Sequence, residues 1–528
     1  MPSPELRGTE LMPAETGAAR RTMLGDELRQ EVLAVGKHAF VYGLGQALSR
    51  AVGFLMIPVY TRYISPDGYG AMELVEILFS VFQLLITMGV SDVLSRFYYA
   101  EKEQTARDRV VSTVLINYAL VGLPFVLVFL TWSPLLSRAI LEDSRYLSCL
   151  QVAIATVWFG MLCEVGFTYL RMRYMAKTFV AVTTVQLAAA LSLNIYFIVF
   201  LRWDVFGIFL STFITQSLTG VLLAIAILRR VGFYFSFTAL GRLVAFGLPL
   251  VPAQIVQLLG YSANCFFLRW FGAADVASAL ALVGILSLGQ KFGAIVNRFI
   301  NVPFNQFWSP RRLELLLSGE AHAKETVARI CTYASSCSVV IALLLAATIS
   351  PVLAIMADQA YRDCQIVVPF AVLAQVIAGL DLHFRTGILY CRKTVWDTII
   401  SIPTLGVIVA WNLVLIPRYG LIAAATSNLA GYVIRVGLAY VVSQRLYPLP
   451  FELGRLAKLL ITALVVYALT QEIAFQSAWA TLIARMAMVG LFPISLVAVG
   501  FYREGELEFI SRSLRQGWKA LRALAPGV

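Results

Sequence analysis

Arg50 is the residue that demands explanation first. It sits near the middle of an apolar run, and Tyr42, Gln46 and Gly53 share its helical face. A charged side chain at mid-bilayer costs about 3 kcal/mol or more, so Arg50 must face protein or a water-filled cavity. Pairing with an acid to lock two helices would satisfy it. An intramembrane cation also marks cargo and ion paths, and that is the reading favoured for Arg50.

Lys291 poses the same question, beside Gln290 and close to Ser287. Another polar stripe runs through Gln254, Gln257, Tyr261 and Asn264. Any one amide inside a span is most simply a bond to a neighbouring helix. Their concentration around two intramembrane cations points instead to a polar cavity. Gln46, Arg50, Gln254, Gln257, Tyr261, Asn264, Gln290 and Lys291 form the candidate cargo-binding set. Arg298 lies nearer one surface, where an arginine snorkels.

The acids near or within apolar runs are Glu73, Glu76, Asp92, Glu164, Asp381 and Asp397. Most fall within reach of an interface, where capping or salt bridging accounts for them. Glu76 and Glu164 are the candidates for coupling to a proton or sodium ion. His322 and His383 have no ligand-like partner and are read as structural. The seven cysteines show neither a CxxC pair nor metal spacing, and Cys331 and Cys337 sit in apolar surroundings as small hydrophobes. No disulfide framework, metal or cofactor is expected.

The elements that must position these groups are membrane helices. The chain has 528 residues, 59% of them hydrophobic and only 14% charged. Its mean hydropathy is +0.78. A soluble protein carries about a quarter charged residues. Apolar runs of roughly 20 residues recur along the chain and span a bilayer as helices. They lack the two-residue alternation of a membrane β-barrel. The fold class is thus all-α and polytopic.

Fourteen spans are expected, the first six at about 38–60, 71–97, 110–131, 147–170, 177–200 and 205–228. Six more fall at about 243–267, 275–302, 327–349, 364–390, 394–416 and 420–443. The last two fall at about 456–473 and 479–501. With the N-terminus inside, 31 of the 42 Lys and Arg lie in inner segments and 7 in outer loops, with 4 inside spans. That asymmetry predicts cytoplasmic termini at both ends, and it explains the net charge of +12 without invoking nucleic acid. No cleavable signal pattern precedes the first span, and no extramembrane stretch is long enough for a separate catalytic domain.

The chain also reads as a duplication. Arg62-Tyr63 returns as Arg269-Trp270, and Ser80 and Gln83 return as Ser287 and Gln290, all at an offset of 207. Lys177-Thr178 returns as Lys393-Thr394, and Arg202…Gly207 as Arg418…Gly420, at larger offsets. The aromatic pairs are read as interfacial anchors at the outer ends of spans 1 and 7. An even number of spans makes the repeat parallel, as in carriers that alternate access around a central site. The expected organisation is a tail at 1–36, an N-lobe at 37–230, a C-lobe at 231–445, extra spans at 446–502 and a tail at 503–528.

Three segments carry a family resemblance. Ile57-Pro58-Val59-Tyr60-Thr61-Arg62-Tyr63-Ile64-Ser65-Pro66-Asp67-Gly68-Tyr69-Gly70 resembles the end of span 1 in polysaccharide transporters, the Wzx-type O-antigen and exopolysaccharide flippases. Phe246-Gly247-Leu248-Pro249-Leu250-Val251-Pro252 resembles their seventh-span opening, and Ile416-Pro417-Arg418-Tyr419-Gly420 begins a segment resembling their eleventh-to-twelfth turn. The likeness runs from about residue 36 to about residue 500.

The resemblance implies a transporter rather than an enzyme, in the bacterial inner membrane. Its cargo would be an undecaprenyl-pyrophosphate-linked oligosaccharide, moved from the cytoplasmic to the outer leaflet. Partners would include a polysaccharide polymerase and chain-length or export proteins. Arg50 and Lys291, one from each lobe, would grip the diphosphate, for which a guanidinium offers a planar fork. Spans 13 and 14 would guide the lipid tail. A drug or metabolite exporter of the same fold is the alternative; an exporter of organic cations would be expected to place acids, not Arg and Lys, at mid-membrane. A membrane glycosyltransferase or polymerase needs catalytic acids or a sizeable outer loop, and neither arrangement is found.

Overall fold

A computed structural model describes residues 56–87, 90–238, 251–319 and 322–503, with 241–242, 245 and 506 besides. The described residues are helical, with no strand among them. Span 1 is seen only at its end, Ile57–Tyr63. Span 2 is helix Pro66–Thr87, followed by a second helix Val90–Ala100. Span 3 is Gln104–Leu136, span 4 Leu147–Met172, span 5 Ala176–Ile195 and span 6 Asp204–Val231.

Span 7 is Val251–Phe271 and span 8 is Val276–Val296. Spans 9 to 12 are Ala323–Met356, Cys364–Phe384, Val395–Tyr419 and Leu421–Leu446. Span 13 is Leu453–Gln471, and span 14 is Ala478–Gly490 continued by Phe492–Ala498. Among the described residues, twelve helices are long and apolar enough to cross a membrane.

Two expected bounds move, for physical reasons. Span 2 starts at Pro66, because proline fits a first helical turn and Asp67 complements the dipole there. Span 8 continues past its apolar stretch through a π-turn at Asn297–Asn301 into helix Val302–Leu317. That extension is too polar to register as a span. It is held by Trp308 and Leu316 packing on Ala323, Val327 and Leu449.

The helices pack in two groups. Spans 2 to 6 lie against one another, as do spans 7 to 12, and spans 13 and 14 pack on span 9. The groups meet mainly where span 2 crosses span 8. Gly70 and Gly284 make that crossing possible. A Cβ on Gly70 would overlap the Leu280 carbonyl oxygen, and one on Gly284 would overlap that of Pro66. Each added Cβ would also lie 2.9 Å from the other glycine's backbone nitrogen.

This contact is reciprocal, as at a local two-fold axis. It pairs Gly70 with Gly284 and Pro66 with Leu280, each 214 positions apart. The match of Ser80 with Ser287 and Gln83 with Gln290 at 207 is therefore out of register here. Other landmarks support a repeat at a similar spacing. Tyr174 and Arg392 both adopt positive φ before spans 5 and 11, while Arg202 and Gly420 do so before spans 6 and 12. Both pairs are 218 positions apart. So are Asn194 and Asn412, buried in spans 5 and 11.

Candidate functional site: a charged cluster on the interbundle seam

Tyr69, just before Gly70, and Glu73 and Glu76, about one and two turns beyond it, recur at four- and three-residue spacing on span 2 and so share a face. The close approach at Gly70 and Gly284 brings that face onto span 8. The Lys291 ammonium lies 3.0 Å from a Glu73 carboxylate oxygen and 3.6 Å from one of Glu76. It also sits 4.9 Å from the centre of the Tyr69 ring, in cation–π range. Two carboxylates therefore share one ammonium across the seam.

The cluster is not sealed. Lys291 keeps 31% and Glu76 45% of their side-chain surface accessible, whereas Glu73 keeps 18%. Its floor is rigid. Tyr69 is buried, stands edge-on to Tyr361, and the Tyr361 hydroxyl donates to the Ile64 carbonyl across the seam at 2.9 Å.

The other candidate residues have separate fates. Gln290 and Gln254 are half-buried. Asn264 is fully buried and donates to the Ala424 carbonyl at 3.1 Å, so it joins span 7 to span 12. Gln46 and Arg50 lie outside the described residues, as do the side chains of Gln257 and Tyr261. Glu164 faces Arg171 of its own helix at 3.4 Å. Glu76 and Glu164 thus have different cations.

Several important residues were not singled out from the sequence, although Asp381 and Asp397 are read there as capping or salt-bridging acids. Arg435 of span 12 bonds Asp381 of span 10 at 3.0 Å and Asp397 of span 11 at 2.7 Å, with Ser401 at 2.9 Å. Arg385 bridges the same two acids at 3.2 and 3.1 Å. Two arginines and two aspartates make a self-neutral lock inside the second group. An arginine and an aspartate inside neighbouring spans were the available signal. In the first group, Asn194 bonds the Tyr60 hydroxyl at 3.3 Å and accepts from Ser211. Arg485 of span 14 is buried and donates to the Ile473 and Ala347 carbonyls, each at 3.0 Å, which ties spans 13 and 14 to span 9.

A second set of seam contacts lies at the end poor in basic residues. Arg269 donates to the Leu141 carbonyl at 3.0 Å and faces Glu142 at 3.3 Å. Trp270 donates to the Ala139 carbonyl at 3.4 Å. Arg269 is 4% exposed, whereas Arg62 is exposed. The reading of both pairs as interfacial anchors is corrected for Arg269: it is a buried tie between the groups. In the adjoining loop, the hydrogen bond from Arg145 holds the Asp143 carboxyl below the usual carboxylate range.

Residues 35–315 match the model of a family described as polysaccharide biosynthesis protein. A stretch of 67 residues is 27% identical to protein 1 of the Lsg locus of Haemophilus influenzae, covering 13% of this chain and 17% of that protein. The match thus spans about a sixth of that relative's length. Among solved structures, the lipid II flippase MurJ in an inward closed conformation superposes with a TM-score of 0.70 at 11% identity. That alignment covers 87% of this chain and 99% of the other. An inward-facing multidrug resistance transporter of the MATE family gives a TM-score of 0.55 at 16% identity, over 75% and 94% of the two chains. At these identities the likeness is one of fold. With more than half its length matched by the family model, this multi-pass membrane chain belongs to the family described as polysaccharide biosynthesis protein.

Proposed function

We propose that the chain is a lipid-linked oligosaccharide flippase. It carries undecaprenyl-pyrophosphate-linked repeat units from the cytoplasmic to the outer leaflet by alternating access of its two helix groups. The observation that carries this reading is an accessible ammonium, Lys291, on the seam where the two groups must move. A diphosphate crossing hydrocarbon needs its charge offset at such a place. Arg50 supplies the second cation from span 1. Both termini are cytoplasmic in this reading, so the basic-poor end is outward and the seam is closed there. Glu76 and Glu164 remain the candidates for coupling to a proton or sodium ion.

The additional helices have a part in this reading. Spans 9, 10 and 13 enclose an apolar groove of about 490 Å³, walled by Leu343, Phe370, Leu373, Leu460 and Leu464. Gln365 and Gln471 lie among its lining residues. The groove suits part of an isoprenoid chain while the sugar occupies the cavity. Spans 13 and 14 then serve the tail of the cargo.

A second reading, export of an organic cation, draws on the two carboxylates of the cluster. The decisive experiment transports a defined cargo. Arg50→Ala and Lys291→Ala proteins are placed in vesicles, and the fraction of lipid-linked oligosaccharide reaching the far leaflet is measured. Both variants are expected to lose transport while still accumulating in the membrane. Normal flipping in both would overturn the cation assignment. Cation efflux sensitive to Glu73→Gln and Glu76→Gln, without lipid flipping, would favour the exporter.

A further inference from the structure

We propose that Glu73 and Glu76 form an interlobe latch with Lys291 that holds the Gly70–Gly284 end closed, and that an anion arriving at Lys291 releases it. The inference rests in part on the proposed cargo, since it assigns the releasing anion to a diphosphate.

Three observations carry it. First, the pairs are interlobe contacts: both carboxylates belong to span 2 and the ammonium to span 8. Opening the seam must stretch both. Second, they lie close to the glycine-mediated backbone contact between the groups. Glu73 is three residues beyond Gly70, and Lys291 is seven beyond Gly284, so the latch and the glycine crossing move together. Third, the cluster is accessible and unequal in charge. Lys291 and Glu76 can be reached, and two carboxylates compete for one ammonium.

In this arrangement the carboxylates occupy the place that a phosphate oxygen would take. Charged hydrogen bonds are the strong ones, so a bare seam with Lys291 unpaired would be unfavourable. A diphosphate that takes the carboxylates' place keeps Lys291 paired and leaves Glu73 and Glu76 to be solvated as the seam opens. The tie to span 2 then disappears while the ammonium stays satisfied. An uncharged solute offers no such exchange. The latch therefore couples opening to the charge of the cargo.

The test uses the full chain in vesicles and needs no lipid-linked sugar. Ala139→Cys and Trp270→Cys are introduced at the seam, with Cys337 and Cys391 replaced by Ser, and bridged by a short bis-thiol reagent. Bridging yield reports closure. Lys291→Gln is expected to lower the yield about threefold or more. The charge-swapped pair, Lys291→Glu with Glu73→Lys, is expected to recover at least about half of it. Millimolar inorganic pyrophosphate is expected to lower bridging in the parent and to leave Lys291→Gln, which has no ammonium at the seam, unchanged.

Unchanged bridging in Lys291→Gln overturns the latch. Equal effects of pyrophosphate on the parent and Lys291→Gln, or no effect on either, overturn release by anion exchange. Should Lys291→Gln fail to reach the membrane, Glu73→Gln with Glu76→Gln removes the same tie from the other side, and unchanged bridging there also overturns the latch. A chain that closes as described but flips no lipid-linked oligosaccharide would refute the cargo and leave the latch standing.

Discussion

Arg435 shows how a charge inside the membrane is made tolerable. Its guanidinium meets two carboxylates and a hydroxyl, and Arg385 supplies the second positive charge. Removing one member of such a buried set leaves an uncompensated charge, at a cost of about 3–5 kcal/mol. Arg435→Ala is therefore expected to lower the thermal stability of the purified protein sharply. The double variant Arg435→Met with Asp381→Leu should recover much of the loss. A melting temperature unchanged in the single variant would remove the lock from the account. Lys291 differs because its partners belong to the other helix group and the cluster is accessible, and there export is expected to fail before stability does. The presence of Lys291, Arg435 and Asp381 inside apolar runs was plain from the sequence. Most of their partners were not, because apart from Arg385 beside Asp381 the salt bridges join residues 38 to 218 positions apart.

Spans 2 and 8 are the elements on which the proposed mechanism turns. Their apolar residues alone would make a generic helix pair. The glycines turn it into a contact at backbone distance, since no side chain stands between the two helices at Gly70 and Gly284. A leucine at either position cannot be housed without separating the helices, and overpacking costs about 1–3 kcal/mol. Gly284→Leu is expected to reach the membrane, to lose bridging between positions 139 and 270, and to expose the outer end of span 2 to impermeant thiol reagents. Full bridging would show that the crossing is not what closes this end. Helix positions were legible from hydropathy for the spans among the described residues, yet the π-turn and polar extension of span 8 were not. Hydropathy registers burial in lipid, while Val302–Leu317 is held by protein packing.

The whole molecule joins two helix groups at one seam and adds two spans behind the second. The proposed orientation predicts that a reporter fused after residue 528 stays cytoplasmic and one in the loop near Glu142 is exported. The opposite labelling would reverse every statement about inner and outer ends. Gln257 tests the cavity at the same scale. A cysteine there is expected to be labelled by impermeant thiol reagents in at least one state. Protection in every state, with a responsive control, would assign it to packing.

Composition and spacing were enough to establish the helical membrane class and the family resemblance. Those properties follow from local hydrophobicity and short motifs, which depend on neighbours in the chain. The same letters misaligned spans 2 and 8 at an offset of 207, because a few shared polar residues carry no information about which backbone atoms touch. Only the tertiary structure paired Gly70 with Gly284, buried Arg269, and placed Glu73 and Glu76 on Lys291. These are contacts between distant segments, set by how closely two helices approach and which faces they present. Hydropathy says that a helix enters the membrane; packing decides what it meets there.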